Sequence, residues 1–114
     1  MSAPPAGPRP VVMRGPRVAD VTRDAVLVWR LVRPGGTRTV LFWRTRRGQP
    51  VATDARCPHG GYLMVDAQLV GGGVECPRHG YRFRADGRCA NVRNAPRAVV
   101  LDVRESDGYL WIAV

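Results

Sequence analysis

Two short boxes constrain this chain more than anything else in it: Cys57-Pro58-His59 and, after the sixteen residues 60–75, Cys76-Pro77-Arg78-His79. Each places a thiol and an imidazole on a loop marked by proline and, just downstream, glycine. The chain has only two histidines and three cysteines, so the boxes hold nearly its whole stock of soft metal donors. The arrangement reads as a metal site. A Cys-x-His or Cys-x-x-His step lets neighbouring side chains diverge toward two different ions, so each loop can feed one Cys to one metal and one His to the other. A single tetrahedral zinc ion is the competing reading for a Cys2His2 set, although zinc fingers usually group cysteines with cysteines and histidines with histidines.

The regions between and around the boxes read as strands. Ala25 to Val32 and Thr39 to Arg44 are rich in β-branched and aromatic residues, and Arg33-Pro34-Gly35-Gly36 between them is turn chemistry, which predicts a hairpin. Pro50 to Thr53 predicts a further strand leading into the first box. Val99 to Val103 and Tyr109 to Val114, separated by Glu105-Ser106-Asp107-Gly108, predict a closing hairpin. No segment carries a helical period, so the fold class is all-β. Residues 1–17, rich in Pro, Gly and Arg, are expected to form a flexible tail, with one domain over 18–114. Gly71-Gly72-Gly73 is expected to be a turn between the boxes, because no Lys-Ser or Lys-Thr follows as a phosphate loop requires. Trp29, Trp43, Trp111 and Tyr62 are expected in the core or rim rather than on a base-stacking platform.

Length and charge narrow the class further. A chain of 114 residues suits one domain with its own core. No long apolar run or hydrophobic leader is visible, so neither membrane spanning nor export is expected, and the predicted setting is cytoplasmic. Cys89 is expected to be a small buried residue without chemistry. The formal charge of +9 comes from 18 basic residues, every one an arginine, against 9 acidic ones. Such a balance favours acidic partners. An acidic face on a protein is the preferred partner, and nucleic acid is not expected.

The two boxes, read with their flanks as Cys57-Pro58-His59-Gly60-Gly61 and Cys76-Pro77-Arg78-His79-Gly80-Tyr81-Arg82-Phe83, resemble those of the Rieske 2Fe-2S proteins, in which two cysteines hold one iron and two histidines the other. The resemblance spans about residues 18–114. It implies one 2Fe-2S cluster per chain held by Cys57, His59, Cys76 and His79. It also implies the Rieske fold, an antiparallel β-sandwich base with a small inserted cluster-binding subdomain. Rieske proteins of cytochrome bc complexes carry an extra cysteine on each loop, joined as a bracing disulfide, and a serine after the second His-Gly. The corresponding positions here are Tyr62, Arg78 and Tyr81. The chain is more similar to the ferredoxins and Rieske domains of ring-hydroxylating oxygenases, and Gly87-Arg88-Cys89 resembles the oxygenase subunit itself. Leu63-Met64, Gly60 and Tyr81 depart from that pattern.

What the resemblance implies is a one-electron carrier, taking electrons from a reductase and giving them to an oxygenase or related redox enzyme. An oxygenase also needs a mononuclear iron on two histidines and a carboxylate. Both histidines here are already committed, so no catalytic activity is expected from this polypeptide alone. No Gly-x-Gly-x-x-Gly fingerprint marks a dinucleotide site, so the reductase is expected to be a separate protein. Two other readings stay open: a Rieske subunit or detached domain of a multi-chain oxygenase, and a metal-stabilised regulatory or nucleic-acid-binding module.

Overall fold

The structure, a computed structural model, describes residues 11–114, and among these described residues there are ten strands and one turn of 3-10 helix. The strands are β1 (Val12–Arg17), β2 (Leu27–Arg33), β3 (Gly36–Arg44), β4 (Pro50–Asp54), β5 (Gln68–Val70), β6 (Gly73–Glu75), β7 (Arg82–Phe83), β8 (Val100–Leu101), β9 (Val103–Ser106) and β10 (Tyr109–Ala113). They form three antiparallel sheets, in the orders β1-β10-β9, β2-β3-β4-β8 and β5-β6-β7. The all-β expectation holds. Among the described residues no helix is long and apolar enough to cross a membrane.

Strand β3 organises the molecule. Its run Val40-Leu41-Phe42-Trp43 is fully buried, as a strand covered on both faces must be, because alternate side chains point to opposite sides. Val40 and Phe42 join Ala52, Leu101, Leu110 and Ile112 in the core between the first two sheets. Leu41 and Trp43 face the other way and pack with Val51, Met64, Val74 and Phe83. That second core glues the small β5-β6-β7 subdomain to the sandwich. Each buried aromatic contributes on the order of 2–3 kcal/mol through removal of apolar area from water.

The β2-β3 hairpin closes through Pro34-Gly35, with Arg33 opposite Gly36. Proline presets the first central position and Gly35, at φ 93°, supplies the positive φ of the second, which is type II turn chemistry. Gly71 and Gly72 likewise turn β5 into β6. Arg44 is half-buried and, among the described residues, pairs with no carboxylate. Its guanidinium instead donates to the carbonyls of Val21, Gly48 and Val18 at 2.5, 2.7 and 3.0 Å, which pins the 3-10 turn Val18–Asp20 to the sheet.

Two expectations need correction. Residues Val12–Arg17 are a strand, not part of a tail: β1 pairs with β10, Val12 opposite Ala113 and Arg14 opposite Trp111. Residues 1–10, where the rest of the expected tail falls, lie outside the described residues. The closing segment is also divided. Val100–Leu101 pairs with β4 in one sheet, whereas Val103–Ser106 pairs with β10 in another. Glu105 and Ser106, read as turn residues, are therefore strand, and the hairpin turns at Asp107-Gly108. A single apolar run serves two sheets because the chain crosses the sandwich edge at Asp102.

Candidate metal centre

Both boxes lie in the insertion between β4 and β8, one before β5 and one between β6 and β7. Their backbones repeat one another. The Cys57 N–H donates to the Tyr62 carbonyl at 2.7 Å, and the Gly61 N–H to the Cys57 carbonyl at 2.7 Å. In the second loop the Cys76 N–H donates to the Tyr81 carbonyl at 2.8 Å, and the Gly80 N–H to the Cys76 carbonyl at 2.9 Å. Gly61 and Gly80 take the same left-handed conformation, at φ 74° and 71°, which a side chain disfavours. Each loop is thus a closed knuckle from Cys to a tyrosine five positions on.

The knuckles sort the donors by depth. Cys57 and Cys76 are each 1% exposed and belong to the core beneath the subdomain. His59 and His79 are exposed. Their rings meet edge to face, with centroids 4.7 Å apart. A cavity of about 290 Å³ is lined by His59, Gly60, Gly61, Tyr62, Cys76, Arg78 and His79. The structure therefore brings all four donors expected from the sequence to one place, thiols inside and imidazoles outside.

The donor set fits a two-iron cluster better than a single ion. Two buried thiols and two surface imidazoles divide two and two by depth, as in mixed Cys/His iron–sulfur ligation. Burial pushes the Cys57 thiol above its ordinary value; the His59 backbone N–H pulls it back, and the nearby Cys76 thiol pushes it up again. A metal bound at Cys57 would have to displace a proton that burial makes harder to lose.

Side chains interlock the knuckles. The Arg78 guanidinium of the second loop lies over the Tyr62 ring of the first. Tyr81 of the second packs on His59 of the first, centroids 4.3 Å apart and planes inclined by 30°. The Tyr62 hydroxyl donates to the Asp66 carboxylate at 3.0 and 3.1 Å, and that bond, more than any burial, pushes the Tyr62 phenol above its ordinary value. Phe83 is fully buried beneath the second loop.

Asn91 is a supporting residue that sequence reasoning missed. Its side-chain N–H donates to the Gly80 carbonyl at 2.7 Å, and its side-chain oxygen accepts from the Arg82 N–H at 2.9 Å. It thereby holds the exit of the second knuckle. The available signal is only that asparagine readily bonds backbone groups. Cys89 departs from expectation: it is half-buried rather than buried, packs against the edge of the core, and its Sγ lies 3.4 Å from the Asn91 oxygen.

Comparison with known proteins places these features among relatives. The family model described as "Rieske [2Fe-2S] domain" matches residues 14–105. Chlorophyllide a oxygenase of Chlamydomonas reinhardtii is 31% identical over 99 residues, which is 82% of this chain and 15% of that protein. The chain thus spans a small part of the length of the curated relatives that it matches. Among solved structures, apo dicamba monooxygenase superposes with a TM-score of 0.75 at 24% identity, covering 92% of this chain and 33% of the other. The Sphingomonas yanoikuyae B1 ferredoxin gives 0.74 at 22% identity, covering 90% and 97%. At such identities the two structures speak to the fold.

Proposed function

The chain belongs to the Rieske [2Fe-2S] domain family and binds a 2Fe-2S cluster, and from that premise we propose that it serves as a one-electron carrier from a separate reductase to an oxygenase or related redox enzyme. Cys57 and Cys76 would hold one iron, and His59 and His79 the other. When bound, such a cluster supplies a redox couple tuned by its ligands, its hydrogen bonds and its exposure to solvent.

The chain's own residues serve that role by depth. Cys57 and Cys76, packed with Met64, Val74 and Phe83, keep water from the sulfur end. His59 and His79 stand at the surface, where a partner protein can approach the imidazoles. The observation that carries this reading is the pair of equivalent hydrogen-bonded knuckles that bury both thiols and present both imidazoles on the same side. The proposal includes a cytoplasmic setting.

Reduction of the purified protein with dithionite tests the proposal. A red-brown oxidised form and a reduced EPR signal with the low average g of mixed Cys/His ligation are expected, with uptake of a single electron per cluster. A colourless protein carrying zinc and lacking iron and sulfide would overturn it. A second reading, electron delivery within a larger oxygenase assembly, is favoured by the 31% identity to chlorophyllide a oxygenase. Stable co-purification with a catalytic chain, in place of transient exchange, would select it.

A further inference from the structure

A second cavity, of about 580 Å³, lies in the corner between the β2-β3 hairpin and the base of the first knuckle. Its walls are Arg30, Arg33, Arg38 and Arg56, together with Thr37, Thr39, Asp54 and Leu63. Asp54 is already neutralised: Arg38 grips one carboxylate oxygen through Nε and Nη2 at 3.0 and 2.9 Å, and the Arg56 N–H donates to the other at 2.8 Å. Among the described residues none of Arg30, Arg33 and Arg56 forms an ion pair with a carboxylate. Three arginines without a carboxylate partner among the described residues therefore line one open corner, where an anion from outside would meet several donors. Guanidinium forks match carboxylates two bonds at a time, and the Thr37 and Thr39 hydroxyls add neutral donors.

We propose that this corner is the docking site for an acidic segment of the protein's redox partner, with two or more carboxylates seated among Arg30, Arg33 and Arg56. The inference rests on the carrier reading above. Position favours a protein over a free ion. Arg56 immediately precedes Cys57 and bridges to Leu63 just beyond the first knuckle, so a segment held here lies beside the loop that carries His59. A net charge of +9 draws an acidic body toward this face over long range.

The test uses the full cluster-loaded chain and a fluorescein-labelled hexaglutamate peptide, with binding read by anisotropy at low salt. Arg56 is left untouched because of its place beside Cys57. The double variant Arg30→Gln/Arg33→Gln should weaken binding by about tenfold or more, as loss of two charge-assisted contacts implies. The variant Arg17→Gln/Arg104→Gln, which removes the same charge from the β1-β10-β9 sheet, should change it by less than about twofold. No binding would overturn the site outright, and equal weakening by both variants would overturn it in favour of diffuse attraction. Displacement of the peptide by inorganic phosphate, where sodium chloride of the same ionic strength does not displace it, would overturn the protein-partner assignment in favour of a small-anion site. The reduced EPR spectrum of the same samples reports separately on the carrier reading. A normal spectrum with failed peptide binding rejects the docking site alone, and an absent cluster signal rejects the carrier whatever the peptide does.

Discussion

The guanidinium carbon of Arg78 sits 5.1 Å from the centroid of the Tyr62 ring, so the two positions that carry the bracing disulfide in Rieske proteins of cytochrome bc complexes touch each other here as a cation over an aromatic face. One residue comes from each knuckle. The contact joins the loops across the same gap without a covalent bond, and it leaves a positive charge beside the cavity lined by both histidines.

A double-mutant cycle with Arg78→Ala and Tyr62→Leu should therefore give a coupling of about 0.5–1 kcal/mol, the range for an exposed cation–π pair. Denaturant unfolding of the cluster-loaded protein measures it. Arg78→Ala should also lower the cluster midpoint, because removing a nearby positive charge disfavours the added electron. A midpoint that rises would contradict this placement of Arg78.

The midpoint itself should lie toward the low end of the Rieske range, nearer roughly −150 mV than +300 mV. Tyr81 stands where the cytochrome bc class has a serine hydroxyl to donate to a cluster sulfur, and such hydrogen bonds favour the reduced state. Arg78, which lines the cavity with both histidines, should moderate the fall. A redox titration above about +100 mV would refute the assignment.

Iron and sulfide content separates the roles of the three thiols. Cys57→Ser and Cys76→Ser should abolish cluster retention, and His59→Asn should remove the mixed-ligand EPR signature. Cys89→Ser should keep the full iron content and spectrum, at a stability cost below about 1 kcal/mol, since its sulfur makes only a weak contact with Asn91.

Alkaline titration should find Tyr62 ionising above its ordinary value of 10.0, because its hydroxyl donates a hydrogen bond to the Asp66 carboxylate. The sign follows from the protonated phenol being the favoured form. Any stabilisation from the bond is present below pH 10.0 and is lost as pH rises through the higher folded value. Asp66→Asn should move the phenolate absorbance change to lower pH, and no shift would show that the bond is not formed in solution.

Asn91→Ala should destabilise the fold by about 1–3 kcal/mol, since it strips the partners from the Gly80 carbonyl and the Arg82 N–H together. Thermal unfolding gives the loss, and faster amide exchange at Arg82 locates it. Loss of stability without local exchange would place the effect elsewhere.

Much of this was legible because its causes are local. The donors stand within three residues of one another in each box, and the flanking glycines mark the turns. Pro34-Gly35 announces its own turn, and the β-branched and aromatic residues from Thr39 to Arg44 mark a strand. Strand β1 was not legible. Gly15 and Pro16 lower its β propensity, and what orders it is pairing with β10, nearly the whole chain away. The division of Val99 to Val103 between two sheets is hidden for the same reason: both halves look alike until their partners are known.

By itself, then, the sequence determined which atoms can bind metal, how the loops carrying them turn, and the all-β character of the frame, since these depend on residue type and short spacing. Only the tertiary structure decided that the thiols lie deep and the imidazoles at the surface, that Arg78 covers Tyr62, that Asn91 clamps Gly80, and that the arginines of β2 meet Arg56 in one corner. Those relations join segments far apart in the chain, and they exist only once the subdomain has packed against Leu41 and Trp43.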